Sequence, residues 1–314
     1  MAFTKSQLRE TLGLPANYRI LFIASANEVW ERIIQNFIVE SSHHFVNGAF
    51  SKKFFDFTQQ YHLASTQEQA DAGEEFNFSP VPDTAEVIST TINETSIGYG
   101  FDLIKLQELR KNYPQKLLAA DLVSAVPGIA FDFSLVDMGY FSVQKCFGMP
   151  AGLGVWIVNE RAIEKYRQKA AQSEITGSYH DLGKLLEKDD DNQTPETPNM
   201  LNIYLLGKVA EDMNNRGIKM IQNETRYKST LLYQAIDKHP SFSPFIKNKK
   251  NRSHTVIVAE TADNSDFLNY LESRKIVIGK GYGQHKSNHI RIANFPAHSK
   301  EQIEMLADLI EGWN

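Results

Sequence analysis

Two hydrophobic periods alternate along the first half of the chain. "YRILFI" is an apolar run broken by one charge, the pattern of a strand buried on both faces. Small residues follow, Ala24 to Ala26, and then apolar side chains recur at helical spacing: Val29, Ile33, Ile34 and Phe37. "HHFVNGAF" is again strand-like and leads into a helix from Ser51. "TAEVISTTINETSIG" reads as a strand and a loop, "DLIKLQELRKNY" as a helix, and "KLLAADLVSAV" as a strand. A further strand covers Val155 to Val158. Near the start, residues 4–13 predict a short helix with Thr4 as its N-cap and Gly13 as its stop. Strands alternating with helices predict an α/β domain built on a mainly parallel sheet.

The second half differs. "LLEKDDDNQTPETPNM" is acidic and polar, carries Pro195 and Pro198, and reads as an exposed loop. A long helix is expected from about Leu201 to Asn214, ended or bent by Gly217, and "TRYKSTLLYQAID" is another. From His254 the order becomes strand ("HTVIVAE"), helix ("NSDFLNYLESRK"), two strands ("IVIGKGY", "HIRIANF") and helix ("SKEQIEMLADLIEGW"). That suits a small α+β domain with helices on one face of an antiparallel sheet. The expected division is therefore 1–215 and 216–314.

Bulk properties narrow the function classes. A chain of 314 residues suggests two domains at about 150 residues each. The net charge of −5 gives no broad basic field for nucleic acid or an anionic membrane. No apolar run is long enough to span a bilayer. One cysteine, Cys146, excludes a disulfide framework within the chain. The opening residues are charged and lack an apolar signal stretch, so a cytoplasmic protein is expected. "GKGYGQHKS" lacks the spacing of a phosphate loop, since Lys280 sits between Gly279 and Gly281. His43 and His44 are adjacent, so on a strand they face opposite sides and cannot share a metal, and nothing else has metal-ligand spacing.

Lys145 is the residue out of place. It lies in "FSVQKCFGMPAGLGVWIV", wrapped in apolar residues and followed by glycines that let backbone approach a ligand closely. Such a lysine either snorkels to water or is there for its amine. A parallel α/β sheet binds ligands at the carboxyl ends of its strands. Ser25, Ala26 and Asn27 would start a helix there, a natural phosphate site. Asp121 ends "LLAAD", and Lys145 follows the next strand. A phosphate cradle, a carboxylate and an amine at one sheet edge suit pyridoxal phosphate. Ordinary polar strand ends are the alternative.

"AADLVSAVPG" and "FSVQKCFGMPAGLGVWIV" resemble the cofactor segment of the class V aminotransferases, within them the phosphoserine aminotransferase branch. In that branch an Asp-x-x-Ser strand end precedes a Gln-Lys pair and a Gly-Pro-x-Gly-like turn. Asp121 and Lys145 are 145 − 121 = 24 positions apart, as that pattern requires. Further matches keep chain order: "IASANEVW", "NGAFS", "NETSIG", "TPETPNMLNIYLLG" and "IRIANFP". The resemblance spans nearly the whole chain. It implies a transferase of fold type I that uses pyridoxal 5'-phosphate, with a large mainly parallel-sheet domain and a small α+β C-terminal domain. It also implies a homodimer with shared active sites, acting on an amino acid and a 2-oxo acid.

By the same resemblance, Lys145 would hold the cofactor's aldehyde carbon and then shuttle the proton. Asp121 would keep the pyridine nitrogen protonated. Phe50 would stack on the ring where the family usually has tryptophan, so stacking survives without an indole N–H. Ser25, Ala26, Asn27 and Gln144 would face the phosphate, and Thr95 the ring oxygen. Thr197, with Thr194 as a rival, would reach the phosphate of a neighbouring subunit. Arg291 would grip the substrate carboxylate bidentately.

One departure bears on the substrate. The family usually has a preceding segment with Gly-Pro and His-Arg-Ser elements whose arginine meets the substrate, whereas Met1 falls inside the following helix. The leading expectation is a phosphoserine:2-oxoglutarate transaminase of serine biosynthesis. Beside it stand another class V transaminase and a catalytically crippled dimer of the same fold without that wall of the site. A cysteine desulfurase fits poorly, because its cysteine must lie on a mobile loop and Cys146 adjoins Lys145. Lys280, His285, Lys286 and His289 could meet a substrate phosphate, with solvated surface as the alternative.

Overall fold

The structure is a computed structural model and describes residues 1–173 and 178–313. Its first half comprises α1 (Ala2–Leu12), β1 (Tyr18–Ile23), α2 (Ala26–Phe37), β2 (Ser41–Val46), α3 (Ala49–Gln60), β3 (Thr66–Gln69) and β4 (Ala85–Thr91). A short hairpin, β5 (Asn93–Glu94) and β6 (Tyr99–Gly100), leads to α4 (Leu103–Asn112). Then come β7 (Leu117–Asp121), β8 (Met138–Ser142), β9 (Gly154–Asn159) and α5 (Glu160–Ala171).

Seven strands form one sheet in the order β1-β9-β8-β7-β4-β2-β3. All run parallel except β9, which is antiparallel to both neighbours. Side chains alternate between faces, as the period of two demands. In β7, Leu117 and Ala119 join the core under Val29 and Ile33 of α2, whereas Leu118 and Ala120 join the core that contains Leu8 of α1 and Leu206. A sheet covered on both faces explains the near-continuous apolar strands.

The remaining elements are α6 (Leu182–Asp190), α7 (Met200–Arg216), α8 (Ile218–Lys238), β10 (Ser243–Pro244), β11 (Val256–Glu260), α9 (Ser265–Glu272), β12 (Gly279–Lys280), β13 (His289–Ala293) and α10 (Lys300–Glu311). Gly217 separates α7 from α8. The antiparallel order is β10-β11-β13-β12, and α8, α9 and α10 share one core with it. Among the described residues, no helix is long and apolar enough to cross a membrane.

Several local expectations need correction. Thr4 is inside α1 and caps nothing, because its hydroxyl donates to Ile203 O of α7 at 2.9 Å; Gly13 does end the helix, at φ 61°. α3 starts at Ala49, before Ser51. The acidic tract begins as helix, since α6 runs to Asp190. Asp181 caps α6, Leu182 and Leu185 are buried, and Asp189 is held by Lys5 and Arg19. Those distant cations are invisible in local composition. "IVIGKGY" yields only the two-residue β12, while β3 and α5 carried no expectation at all.

Candidate active site

The carboxyl ends of the parallel strands form the floor of the site. Thr91, Asp121 and Tyr140 lie side by side in register, and Ser142 ends β8. A cavity of about 170 Å³ opens above them. It is lined by Ala26, Asn27, Trp30, Phe50, Thr91, Asn93, Thr95, Asp121, Val123, Ser142, Gln144 and Lys145.

Asp121 is buried inside this cavity wall. Its Oδ1 accepts the Val123 N–H at 2.9 Å, its only hydrogen bond among the described residues. Burial pushes its carboxyl up to about 7, against the pull of the Val123 N–H and with the help of the Glu94 charge. Lys145 is half-buried, and its side-chain amine makes no hydrogen bond among the described residues. Burial lowers its pKa, and the charge of Arg291 lowers it further. A desolvated amine of this kind is the more nucleophilic one near neutral pH.

Short directional bonds hold the surrounding loops. Ser25 caps α2, accepting the Glu28 N–H at 3.4 Å, and the Ala26 N–H donates to Ser142 Oγ at 2.8 Å. A Cβ at Gly154 would lie 2.6 Å from the Ser25 carbonyl carbon, so only glycine lets β9 start this close to the helix. Ser124 Oγ accepts from Asn93 Nδ2 at 2.7 Å and sits 2.6 Å from Thr95 Oγ1, which ties the "NETSIG" loop to the turn after Asp121. Buried Glu94 accepts the Phe50 and Ser51 N–H groups at 3.2 and 2.9 Å and thereby fixes the start of α3.

Arg291, mid-strand in β13, lies across from this floor. Its Nη1 donates to Thr95 O at 3.4 Å, and its Cζ stands 5.8 Å from the Tyr282 ring. A second cavity of about 430 Å³ contains Arg291 and shares Thr95 and Lys145 with the first. The Tyr282 ring is 5.6 Å from that of Phe50, and its hydroxyl accepts from Lys53 Nζ at 3.2 Å.

Of the residues singled out from sequence, Ala26, Asn27, Phe50, Thr95, Asp121, Gln144 and Lys145 meet at one cavity, with Arg291 at its neighbour. Ser25 is adjacent but uses its hydroxyl as the helix cap. Thr197 is exposed, Thr194 donates to Glu196 O at 2.8 Å, and neither reaches the cavity within one chain. Cys146 is buried and its thiol is pushed up to about 12 by burial, which suits a packing role. Trp30, Thr91, Asn93, Ser142 and Tyr282 were not anticipated. Trp30 is four residues after Ala26, one helical turn deeper, and Ser142 ends its strand as Asp121 does, so both carried a readable signal.

These residues fit pyridoxal phosphate. A buried carboxylate that no cation bonds among the described residues needs a positive partner, and a protonated ring nitrogen is one. A helix start beside it suits a phosphate, and an unpaired amine on the same cavity suits an aldehyde.

The aminotransferase class V family matches residues 60–306, and the chain belongs to that family. It is thus a transferase that uses pyridoxal phosphate to move an amino group between an amino acid and a 2-oxo acid. A phosphoserine aminotransferase of Corynebacterium glutamicum is 26% identical over 97% of this chain and 81% of its own length. The crystal structure of a phosphoserine aminotransferase from Cytophaga hutchinsonii is 42% identical, with a TM-score of 0.97 over 99% of this chain and 87% of that one. A phosphoserine aminotransferase from Trichomonas vaginalis solved with bound pyridoxal phosphate shares the fold, at 20% identity and a TM-score of 0.84 over 99% of this chain and 86% of that one.

Proposed function

We propose that the protein is a phosphoserine transaminase that exchanges its amino group with 2-oxoglutarate, with Lys145 and Asp121 as its catalytic residues. The observation that carries this reading is that the Asp121 carboxylate, which has no charged partner among the described residues, and the Lys145 amine line one cavity beside the start of α2. The likeness to proteins named phosphoserine aminotransferase supports the choice of substrate.

When bound, the cofactor supplies an electron sink for the carbon that loses its proton. Asp121 would hold a proton on the cofactor's ring nitrogen. Lys145 would hold the cofactor by its aldehyde, and its Nζ would be the group that carries a proton. Ala26, Asn27 and Gln144, with Ser25 at the helix start, would hold the phosphate, Thr95 would bond the ring oxygen, and Phe50 would stack on the ring. Arg291 orients the substrate by its carboxylate, and apolar Trp30 and Val123 exclude water from the floor of the cavity.

The assembly we propose is a cytoplasmic homodimer, with Thr197 directed at the partner's phosphate and the chain divided at 215/216. Thr197 is exposed, and Met200, Leu201 and Tyr204 just after it are exposed apolar residues, as a covered face would need.

Borohydride reduction of the protein loaded with pyridoxal phosphate, followed by peptide mass analysis, should place the pyridoxyl group on Lys145. Phosphoserine should then convert the unreduced enzyme's cofactor to its amine form faster than alanine or aspartate do. A label on Lys280 or Lys286 would overturn the lysine assignment, and equal rates for the three amino acids would overturn the substrate.

A further inference from the structure

Lysine is almost never fully buried unless it is paired. Lys228, in the middle of α8, is 0% exposed. Its nearest carboxylate, Glu224 one turn earlier, is 3.8 Å away, too far for a charge-assisted hydrogen bond. The ammonium donates instead to two main-chain carbonyls, Phe295 O at 3.3 Å and His298 O at 2.6 Å. Burial holds its pKa below the ordinary lysine value.

Both carbonyls belong to the segment 294–299, which joins β13 to α10. Its Phe295 packs with Val256, Val258 and Cys146, the residue after Lys145. Its Ala297 meets the same turn: Gly148 sits at φ +65°, and a Cβ there would fall 2.6 Å from the Cβ of Ala297. At its start, Asn294 is buried and donates to Thr225 O and His254 O at 2.9 and 2.8 Å. Arg291 lies three residues before Asn294, on β13. One short segment therefore ends the strand that carries the guanidinium and presses on the turn that carries the amine. An apolar side chain at position 228 could fill the core but could not fix the direction of two converging carbonyls.

We propose that Lys228 is a positioning residue for the transamination site: by tying segment 294–299 to α8, it sets the spacing between the Lys145 amine and the Arg291 guanidinium. This rests on the reading that Lys145 takes the cofactor and Arg291 the substrate carboxylate.

The test compares Lys228→Met with Leu8→Ala, a core truncation in α1 within a different hydrophobic cluster from Phe295 of the segment. Three quantities are read: the melting temperature, the KM for glutamate, and the rate at which pyridoxal phosphate attaches to Lys145 in the cofactor-free protein, trapped by borohydride. Lys228→Met should raise KM and slow attachment, each by about five- to tenfold, as expected for a small displacement of reacting groups. Lys228→Gln, which keeps a donor, should recover part of both. Leu8→Ala should lower the melting temperature and leave the other two readings unchanged. If Lys228→Met does not accumulate in folded form, Lys228→Gln and Ala297→Gly are compared with Leu8→Ala in the same way. The proposal fails if the variants lose melting temperature while KM and attachment rate stay at the wild-type values. A wild-type label on another lysine would instead sink the underlying reading.

Discussion

On the large-sheet side of the site, groups are held by short directional bonds. Asp121 is fixed by a 2.9 Å bond to its own turn, Ala26 by 2.8 Å to Ser142, and the Thr95 loop by 2.6 Å to Ser124. On the small-sheet side the side chains that face the cavity make long, soft contacts. Among the described residues the Arg291 guanidinium makes one hydrogen bond, at 3.4 Å, and Tyr282 meets Phe50 and Arg291 through ring contacts at 5.6 and 5.8 Å. The strand beside Arg291, β12, is two residues long. The wall that must keep a charge in one place for every substrate is rigid, and the wall that admits and releases two different substrates is yielding. Changes to the first should act on rate, and changes to the second on binding.

The largest effect should come from Asp121→Asn. Removing the charge from a rigid wall should cost about a hundredfold or more in kcat with little change in KM, by the scale of other preorganised catalytic groups. A near-normal kcat would break the comparison at its strong end. The same variant has a signature in the cofactor-free protein. The Asp121 carboxyl is raised from 3.8 to about 7 in the fold, so the folded state favours its neutral form. Its stabilising contribution is full below about pH 4 and is lost as pH rises through about 7. Wild-type melting temperature should therefore fall across that window relative to Asp121→Asn, and parallel pH profiles would remove Asp121 as the source.

A smaller effect is expected from Arg291→Lys, which keeps the charge and loses the planar fork. Losing one hydrogen bond to a charged group, about 1.5–3 kcal/mol, should raise KM about ten- to a hundredfold with kcat close to unchanged. An equal fall in kcat would mean the guanidinium acts in the transition state, which the soft wall does not predict.

Tyr282 should matter least. Loss of its ring in Tyr282→Ala removes a contact worth about 0.5–1 kcal/mol and should raise KM about two- to fivefold. Tyr282→Phe should be nearly silent. If Phe and Ala are equally impaired, the bond from Lys53 to the phenol, not the ring, organises the loop.

The rigid wall was also the legible one. Asp121 and Lys145 are a carboxylate at a strand end and an amine in an apolar wrap, so each violates its surroundings visibly in the sequence. The apolar runs that define β1, β7 and β9 were equally plain, because both faces of the sheet are covered. The soft wall gave weaker signals. "IVIGKGY" has the composition of a strand, yet its glycines leave only Gly279–Lys280 paired. Tyr282 looks like any loop aromatic until Phe50 arrives from another part of the chain. α6 was hidden because the charges of Lys5 and Arg19, which make Asp189 welcome, are remote in sequence. Lys228 carried no mark at all, since a lysine in an amphipathic helix ordinarily faces water.

The pairing of α1 with α7 bears on how the chain is made. Thr4 finds Ile203 only across 199 positions of sequence, and among the described residues β1 at the sheet edge pairs with β9 alone. On a ribosome adding about 5–20 residues per second, α1 would wait roughly ten to forty seconds, and β1 roughly seven to thirty, for these partners to emerge. Throughout that interval an amphipathic helix and an open strand edge stand exposed to every other nascent chain nearby. The newborn protein is therefore a natural client for chaperones that shield apolar segments, and its yield in a host should depend on how fast it is translated.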